Sequence, residues 1–176
     1  MSLVYSFPPI ADAAARVLVL GSLPGVKSLQ MREYYAQPYN AFWRIMGELF
    51  GAEPALSYAA RVAQLRASGV AVWDVLAAGE REGSLDSAIV PASIVVNDFN
   101  AFFERHRRIG LICFNGNTAA ALYRRKVLPR LEPTSAALTT QVLPSTSPAY
   151  ASLRFEQKLE RWSAALRGLT PAKQRG

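Results

Sequence analysis

The sequence predicts an α/β fold: a three-layer α/β/α sandwich around a central, mostly parallel four-stranded sheet. Three observations predict it. Short apolar runs without a polar break, such as Val17-Leu18-Val19-Leu20, have the pattern of strands covered on both faces. Stretches with helical spacing separate these runs, so that strands alternate with helices four times. Turn-forming residues punctuate the joins, and they cluster where the strands end.

Taken in order, residues 1–15 form an irregular arm containing Phe7-Pro8-Pro9-Ile10, and residues 16–21 the first strand. Gly21-Ser22-Leu23-Pro24-Gly25 forces a turn, since Gly tolerates positive φ and Pro fixes its own. A polar and aromatic loop runs through Tyr34, Tyr35 and Asn40. Phe42, Ile45, Met46 and Leu49 then fall at i, i+3, i+4 and i+7, one apolar face of a helix over 40–50, with Gly51 as its C-cap. A second helix is expected over 55–68, with Leu56, Ala59, Ala60, Ala63 and Leu65 as inward candidates. Gly69 ends it, and residues 70–75 make the second strand.

Residues 79–86, charged and Gly-punctuated, are expected as a loop. Asn97 or Asp98 caps a short helix through His106. Residues 109–114 are the third strand, followed by Asn115-Gly116-Asn117 and a helix over 118–126. Pro129 and Pro133 break the next stretch, residues 138–143 make the fourth strand, and 144–150 the loop at its end. A last amphipathic helix covers 151–166, offering Leu153, Leu159, Trp162 and Leu166 to the core, and a polar tail runs to Gly176.

A chain of 176 residues suits one full core and is short for two. A single domain over 1–176 is expected, with 1–15 and 168–176 as peripheral arms. Lys and Arg number 20 against 13 Asp and Glu, a net charge of +7, which fits a polyanionic partner such as nucleic acid, although basic proteins without one also exist. The single cysteine, Cys113 inside Leu111-Ile112-Cys113-Phe114, excludes an intrachain disulfide and any Cys₄ metal or iron–sulfur site. The N-terminus lacks the basic and apolar regions of a signal peptide, and no apolar run approaches the length of a membrane span. The expectation is a cytoplasmic protein.

In a parallel sheet the loops after the strands converge at the carboxyl edge. This collects Ser22, Tyr34, Tyr35, Asn40, Asp74, Asn115, Ser145, Thr146 and Ser147. These loops hold no His, no acidic pair, no Cys nucleophile and no Gly-Lys-Ser/Thr phosphate loop. That argues against a Ser–His–Asp hydrolase, a metalloenzyme and a P-loop nucleotidase. Amides, hydroxyls and aromatics suit the recognition of a flat polar ring and the positioning of a water.

Two stretches carry a resemblance. Gly21-Ser-Leu-Pro-Gly25 with Tyr35-Ala-Gln-Pro38-Tyr-Asn40-Ala-Phe-Trp43 resembles motif 1 of the uracil-DNA glycosylase superfamily, and Leu143-Pro-Ser-Thr-Ser-Pro-Ala149 its motif 2 loop. The likeness is closest to the hypoxanthine-DNA glycosylase branch and extends to the mismatch-specific uracil/thymine branch. It implies a monofunctional DNA glycosylase of base excision repair that hydrolyses the N-glycosidic bond of a flipped, deaminated base, hypoxanthine before uracil. It also implies a monomer acting on DNA without metal or organic cofactor.

By position, the resemblance makes Asn40 the water-orienting catalytic residue, because Leu23 stands where the mismatch-specific members keep their catalytic Asn. Gly21, Ser22, Leu23 and Pro24 would line the base pocket. Tyr35 matches the aromatic that stacks on the base, Asn115 a second functional Asn, and Asp74 loosely a base-reading position. Ser145, Thr146, Ser147 and Pro148 would contact the DNA backbone.

Each assignment has a plainer counterpart. Asn40 can be a helix cap, Tyr35 core filler, Asn115-Gly116 a strand-end turn and Ser145–Ser147 a cap for the last helix. Lys27 is better read as a solvated loop lysine than as a Schiff-base nucleophile. Arg105-His106-Arg107-Arg108 and Arg124-Arg125-Lys126 are basic faces, either of which can lie along DNA. Other readings of the whole chain are a uracil- or mismatch-specific glycosylase, a binding module that kept the fold without the chemistry, and a small-nucleotide-binding protein.

Overall fold

The computed structural model describes residues 2–169; residues 170–176 of the expected C-terminal tail lie outside the described residues. Four strands form an all-parallel sheet: β2 (Val17–Gly21), β3 (Val70–Asp74), β6 (Leu111–Asn115) and β7 (Thr139–Leu143), in the order β3-β2-β6-β7. Every residue of β2 and β3 is buried, as expected for apolar strands covered on both faces.

Alternation along β2 distributes its side chains between two cores. Leu18 and Leu20 face one core, with Phe99, Phe102 and Phe103 of α4 (Phe99–Arg105), Ala119 and Ala120 of α5 (Asn117–Leu122), and Tyr123. Val17 and Val19 face the other, with Phe42, Ile45 and Met46 of α2 (Phe42–Phe50) and Trp162 of α7 (Phe155–Ala165). Two apolar clusters on opposite faces of one sheet make the three layers. Cys113 lies in the second, and burial pushes its thiol up to about 12.

The structure differs from the expected elements in several places. The stretch expected as turn and loop before Asn40 contains α1 (Val26–Met31), and the last helix starts at Phe155 rather than 151. Part of the N-terminal arm is strand β1 (Leu3–Tyr5), which pairs antiparallel with β4 (Leu76–Glu80), and β4 pairs in turn with β5 (Val95–Val96). Ile10 adds a bridge to Val72. The expected loop over 79–86 therefore begins as strand and becomes a loop only at Arg81. In α3 (Tyr58–Ala67) only Leu65 is buried; Leu56, Ala59, Ala60 and Ala63 are exposed, and Tyr58 and Val62 complete the packed face. Alanine fits either face of a helix, so it says little about which side turns inward. Finally, α5 widens into a π turn at Tyr123–Val127, which buries Tyr123 and Val127.

Between β2 and β3 the chain passes through α1 (Val26–Met31), α2 and α3. Because β3 lies on one side of β2 and β6 on the other, the strand order reverses at β2. The loops after β2 and β6 diverge there and open a crevice at the carboxyl edge.

Candidate active site

That crevice is a cleft of about 1100 Å³. Its walls include Gly21, Ser22, Leu23, Pro24, Tyr35, Asn40, Asp74, Asn115, Ser145, Thr146, Ser147 and Pro148. The structure thus brings these twelve expected residues together, drawn from four strand ends. Tyr34 also reaches the wall, but it is mainly an anchor: it is buried, its hydroxyl donates to the carbonyls of Phe7 and Pro8, and its own carbonyl accepts from Trp43 Nε1 at 2.8 Å.

Asn40 sits just before α2, and its Oδ1 accepts the Phe42 amide N–H at 3.0 Å. The N-cap of α2 is Ala41, so this contact is an Asx turn that leads into the helix. It holds the amide in one orientation at the cleft wall, and the carbonyl oxygen retains a second lone pair. Ala41 donates its amide to the Thr146 carbonyl at 2.9 Å, tying the motif 1 segment to the loop after β7.

Asn115 locks that same loop. Its Nδ2 donates to Thr146 Oγ1 and its Oδ1 accepts from the Thr146 amide, both at 2.9 Å. Next to it, Gly116 takes φ +96°, and a β-carbon there would come within 3.1 Å of Ser145 Cβ. From below, α7 grips the loop: Trp162 Nε1 donates to Pro144 O at 2.9 Å, and Lys158 Nζ to Ser147 O at 3.2 Å. Of the four residues expected to touch DNA, Thr146 is buried and committed to this internal lock. Pro148 is exposed, and Ser145 and Ser147 are half-buried.

Tyr35 holds a left-handed backbone, φ 55°, and its ring stacks on Phe42 with centroids 4.1 Å apart. Its hydroxyl is turned inward toward Gly21 and, among the described residues, has no hydrogen-bond partner. Beside it lies Asp74, the last residue of β3 and only 4% exposed. A β-carbon on Gly21 would stand 2.7 Å from Asp74 Oδ1 and 2.9 Å from Tyr35 Oη, so glycine is what lets the two side chains close in. Asp74 Oδ2 is shut off from solvent and is also without a hydrogen-bond partner among the described residues. Burial, reinforced by the Asp86 carboxylate and opposed by the Arg81 guanidinium, pushes the Asp74 carboxyl up to about 7. Burial likewise raises the Tyr35 phenol, with Asp74 adding to the effect, so Tyr35 stays a protonated donor.

Two further residues that brace this site fall in the segment expected as a loop. Arg81 is buried at 2% exposure, donates through Nε to Gly83 O at 3.0 Å and through its NH2 nitrogen to Pro24 O, and faces Asp86 at 4.0 Å. Asp86 in turn accepts from Ser22 Oγ at 2.5 Å, and Ser84 Oγ accepts from the Val26 amide. The 81–86 loop is thus a brace for the Gly21–Gly25 turn. Alternating charges and glycines also describe an ordinary surface loop, so periodicity carried no sign of it. Among the described residues, no group of three or more His, Cys, Asp or Glu is placed to hold a metal ion, and no helix is long and apolar enough to cross a membrane.

The family model of the Uracil DNA glycosylase superfamily matches residues 8–169. A hypoxanthine DNA glycosylase of Methanosarcina acetivorans is 36% identical over 165 residues, 92% of this chain and 96% of that protein. One from Methanosarcina barkeri is 37% identical over 111 residues, 62% of this chain and 69% of its own length. A candidate uracil DNA glycosylase from Methanosarcina acetivorans, solved by solution NMR, superposes with a TM-score of 0.78. It is 34% identical, and the match covers 96% of this chain and 99% of that one.

Proposed function

Given that the chain belongs to the uracil DNA glycosylase superfamily, we propose that it is a monofunctional DNA glycosylase that excises hypoxanthine, with a water held by Asn40. The observation that carries this reading is the fixed Asn40 amide at the cleft wall, in a motif where Leu23 offers no side-chain donor or acceptor. The relatives named for hypoxanthine support the choice of base.

A base must leave the stack to enter such a cleft, and extrusion costs a few kcal/mol. Cleavage of the C1′–N bond then builds positive charge on the sugar and negative charge on the base. Asn40 presents an oxygen that orients water toward C1′; an amide cannot take the water's proton, which passes to the departing base or to solvent once the C–O bond has formed. Donors aimed at the base stabilise its developing charge. The basic chain supplies the attraction to the DNA backbone.

The test is excision from labelled duplexes carrying hypoxanthine, uracil, xanthine or a thymine mismatch, with Asn40→Ala beside the wild type. Release of hypoxanthine that falls at least a hundredfold in the variant, with DNA affinity retained, is the expected result. Full activity in Asn40→Ala would move the water to another residue. Preference for uracil would overturn the choice of base.

A further inference from the structure

Lys158 of α7 is an ammonium group taken out of water without an anion beside it. The residue is 5% exposed, and lysine is seldom so buried unless it is paired. Its Nζ donates to Ser147 O at 3.2 Å and lies 5.4 Å from the centre of the Tyr150 ring. Both contacts replace some of the lost water, and neither neutralises the charge. Among the described residues, no carboxylate forms an ion pair with it. Holding a loop carbonyl does not require a charge: in the same loop the neutral Trp162 Nε1 holds Pro144 O. Burial accordingly lowers the Lys158 ionisation below the usual lysine range.

The charge is the middle of a stripe. Arg154, Lys158 and Arg161 fall at i, i+4 and i+7, so they share one face of α7 and its N-cap. Each precedes by one position a residue of the second core, Phe155, Leu159 or Trp162, and lies about 100° round the helix from it. Arg154 and Arg161 are exposed. Arg161 borders the cleft together with Ser147 and Tyr150, whereas the acids of the helix, Glu156 and Glu160, do not. From Arg154 to Arg161 the helix rises about 10 Å, which matches about three nucleotides on one DNA strand.

We propose that this face of α7 is a track for the DNA backbone, in which a phosphate of the bound strand supplies the counter-charge that Lys158 lacks. The identity of the polyanion rests on the glycosylase reading above. Lys158 acts from beneath the turn Ser147–Tyr150, which is closed by the Tyr150 amide donating to Ser147 O at 3.0 Å. At that depth its charge is screened less by salt than a surface lysine's. Arg154 and Arg161 reach neighbouring phosphates directly. Because one ammonium both holds the Ser147 carbonyl and attracts the phosphate, it is a positioning residue that fixes the strand relative to the cleft.

Fluorescence anisotropy of the full chain, titrated over a range of salt concentrations, tests the track on an undamaged duplex and on one carrying hypoxanthine. Lys158→Met keeps the apolar stem and deletes the charge. Lys158→Gln deletes the charge and keeps a donor for the Ser147 carbonyl. Either should weaken both duplexes at least tenfold at low salt and reduce the slope of log affinity against log salt by about 1. Arg154→Gln should reduce the slope by a similar amount. A residue that only anchors the loop would weaken binding with the slope unchanged, and that result in the Lys158 variants would overturn the proposal. Where neither Lys158 variant folds, as judged by thermal melts, the double variant Arg154→Gln/Arg161→Gln decides, since both side chains are exposed. Its slope should fall by about 2, and a wild-type slope would overturn the track. A wild type that binds duplexes with this salt dependence but releases no base would overturn the glycosylase reading and leave the track standing. A wild type that binds no duplex would overturn both.

Discussion

Asn115 and Thr146 hold each other by two reciprocal hydrogen bonds of 2.9 Å, side chain to side chain and side chain to backbone. Through Thr146 the lock reaches Asn40, because the Thr146 carbonyl accepts the amide of Ala41, the next residue in the chain. The end of β6, the loop after β7 and the start of α2 are therefore one hydrogen-bonded unit around the cleft.

Asn115→Ala removes both partners and leaves the buried Thr146 amide and hydroxyl unsatisfied. The expected loss is about 1–3 kcal/mol of stability, together with at least a tenfold fall in excision rate as the loop slackens. Thermal melts and single-turnover rates measure the two effects. A wild-type rate in the variant would contradict the lock's part in shaping the site.

Gly21→Ala places a β-carbon 2.7 Å from Asp74 Oδ1 and 2.9 Å from Tyr35 Oη. Something must move, and both neighbours are cleft groups. Excision should drop by more than tenfold while the melting temperature shifts by only a few degrees. Unchanged kinetics would show that the pair at Gly21 does not contribute.

Asp74 also leaves a mark on stability. Its folded-state pKa, raised to about 7 from 3.8, means that the folded protein binds more protons than the unfolded chain between these values. Its favourable contribution is fully present below about pH 4, is lost as pH rises to about 7, and changes no further above that. Asp74→Asn should therefore melt higher than wild type by several degrees at pH 8, and the gap should close toward pH 4. A pH-independent gap would refute the raised ionisation.

Replacing Arg81 by Met keeps much of its volume but deletes its hydrogen bonds to Pro24 and Gly83 and its ion pair to Asp86. Because Asp86 is partly exposed, the expected cost is about 2–3 kcal/mol, below that of breaking a fully buried pair. With the cation gone, Asp74 should ionise at still higher pH, shifting the pH dependence of stability upward. A pH dependence at the wild-type position would argue against the influence of Arg81 on Asp74.

Lys27 and Arg161 are exposed and lie at the cleft wall, and they make no base-reading claim. Lys27→Ala or Arg161→Ala should weaken DNA binding evenly across lesions and reduce the slope of log affinity against log salt by about 1. Fluorescence titrations over a range of salt concentrations measure this. An unchanged slope would remove that residue from the DNA contact.

Much of the site was legible because of one topological rule. Val17–Leu20, Val70–Val75 and Ile109–Phe114 read as buried strands, and parallel strands present their carboxyl ends along one edge. Residues as far apart in sequence as Ser22, Asp74, Asn115 and Ser147 can therefore be gathered from the sequence alone. Asn40 and Tyr35 were legible for another reason, the spacing of the Gly-Ser-Leu-Pro-Gly turn and the Asn-Ala-Phe-Trp segment. Arg81 and Asp86 were not legible, since a charged, Gly-punctuated stretch carries the same pattern whether it is solvated or folded against a neighbouring loop.

By itself, then, the sequence determined the order of the four core strands and the main helices between them, most of the membership of the cleft and the family, because hydrophobic period, turn residues and motif spacing are local properties of the chain. Tertiary structure alone decided that Leu3–Tyr5 pairs with Leu76–Glu80 across more than 70 residues, that Arg81 is interior, and that Asp74 is an acid held near neutrality. The physical reason is that strand pairing, burial and ionisation belong to the surroundings of a residue. Those surroundings exist only once distant segments have packed together.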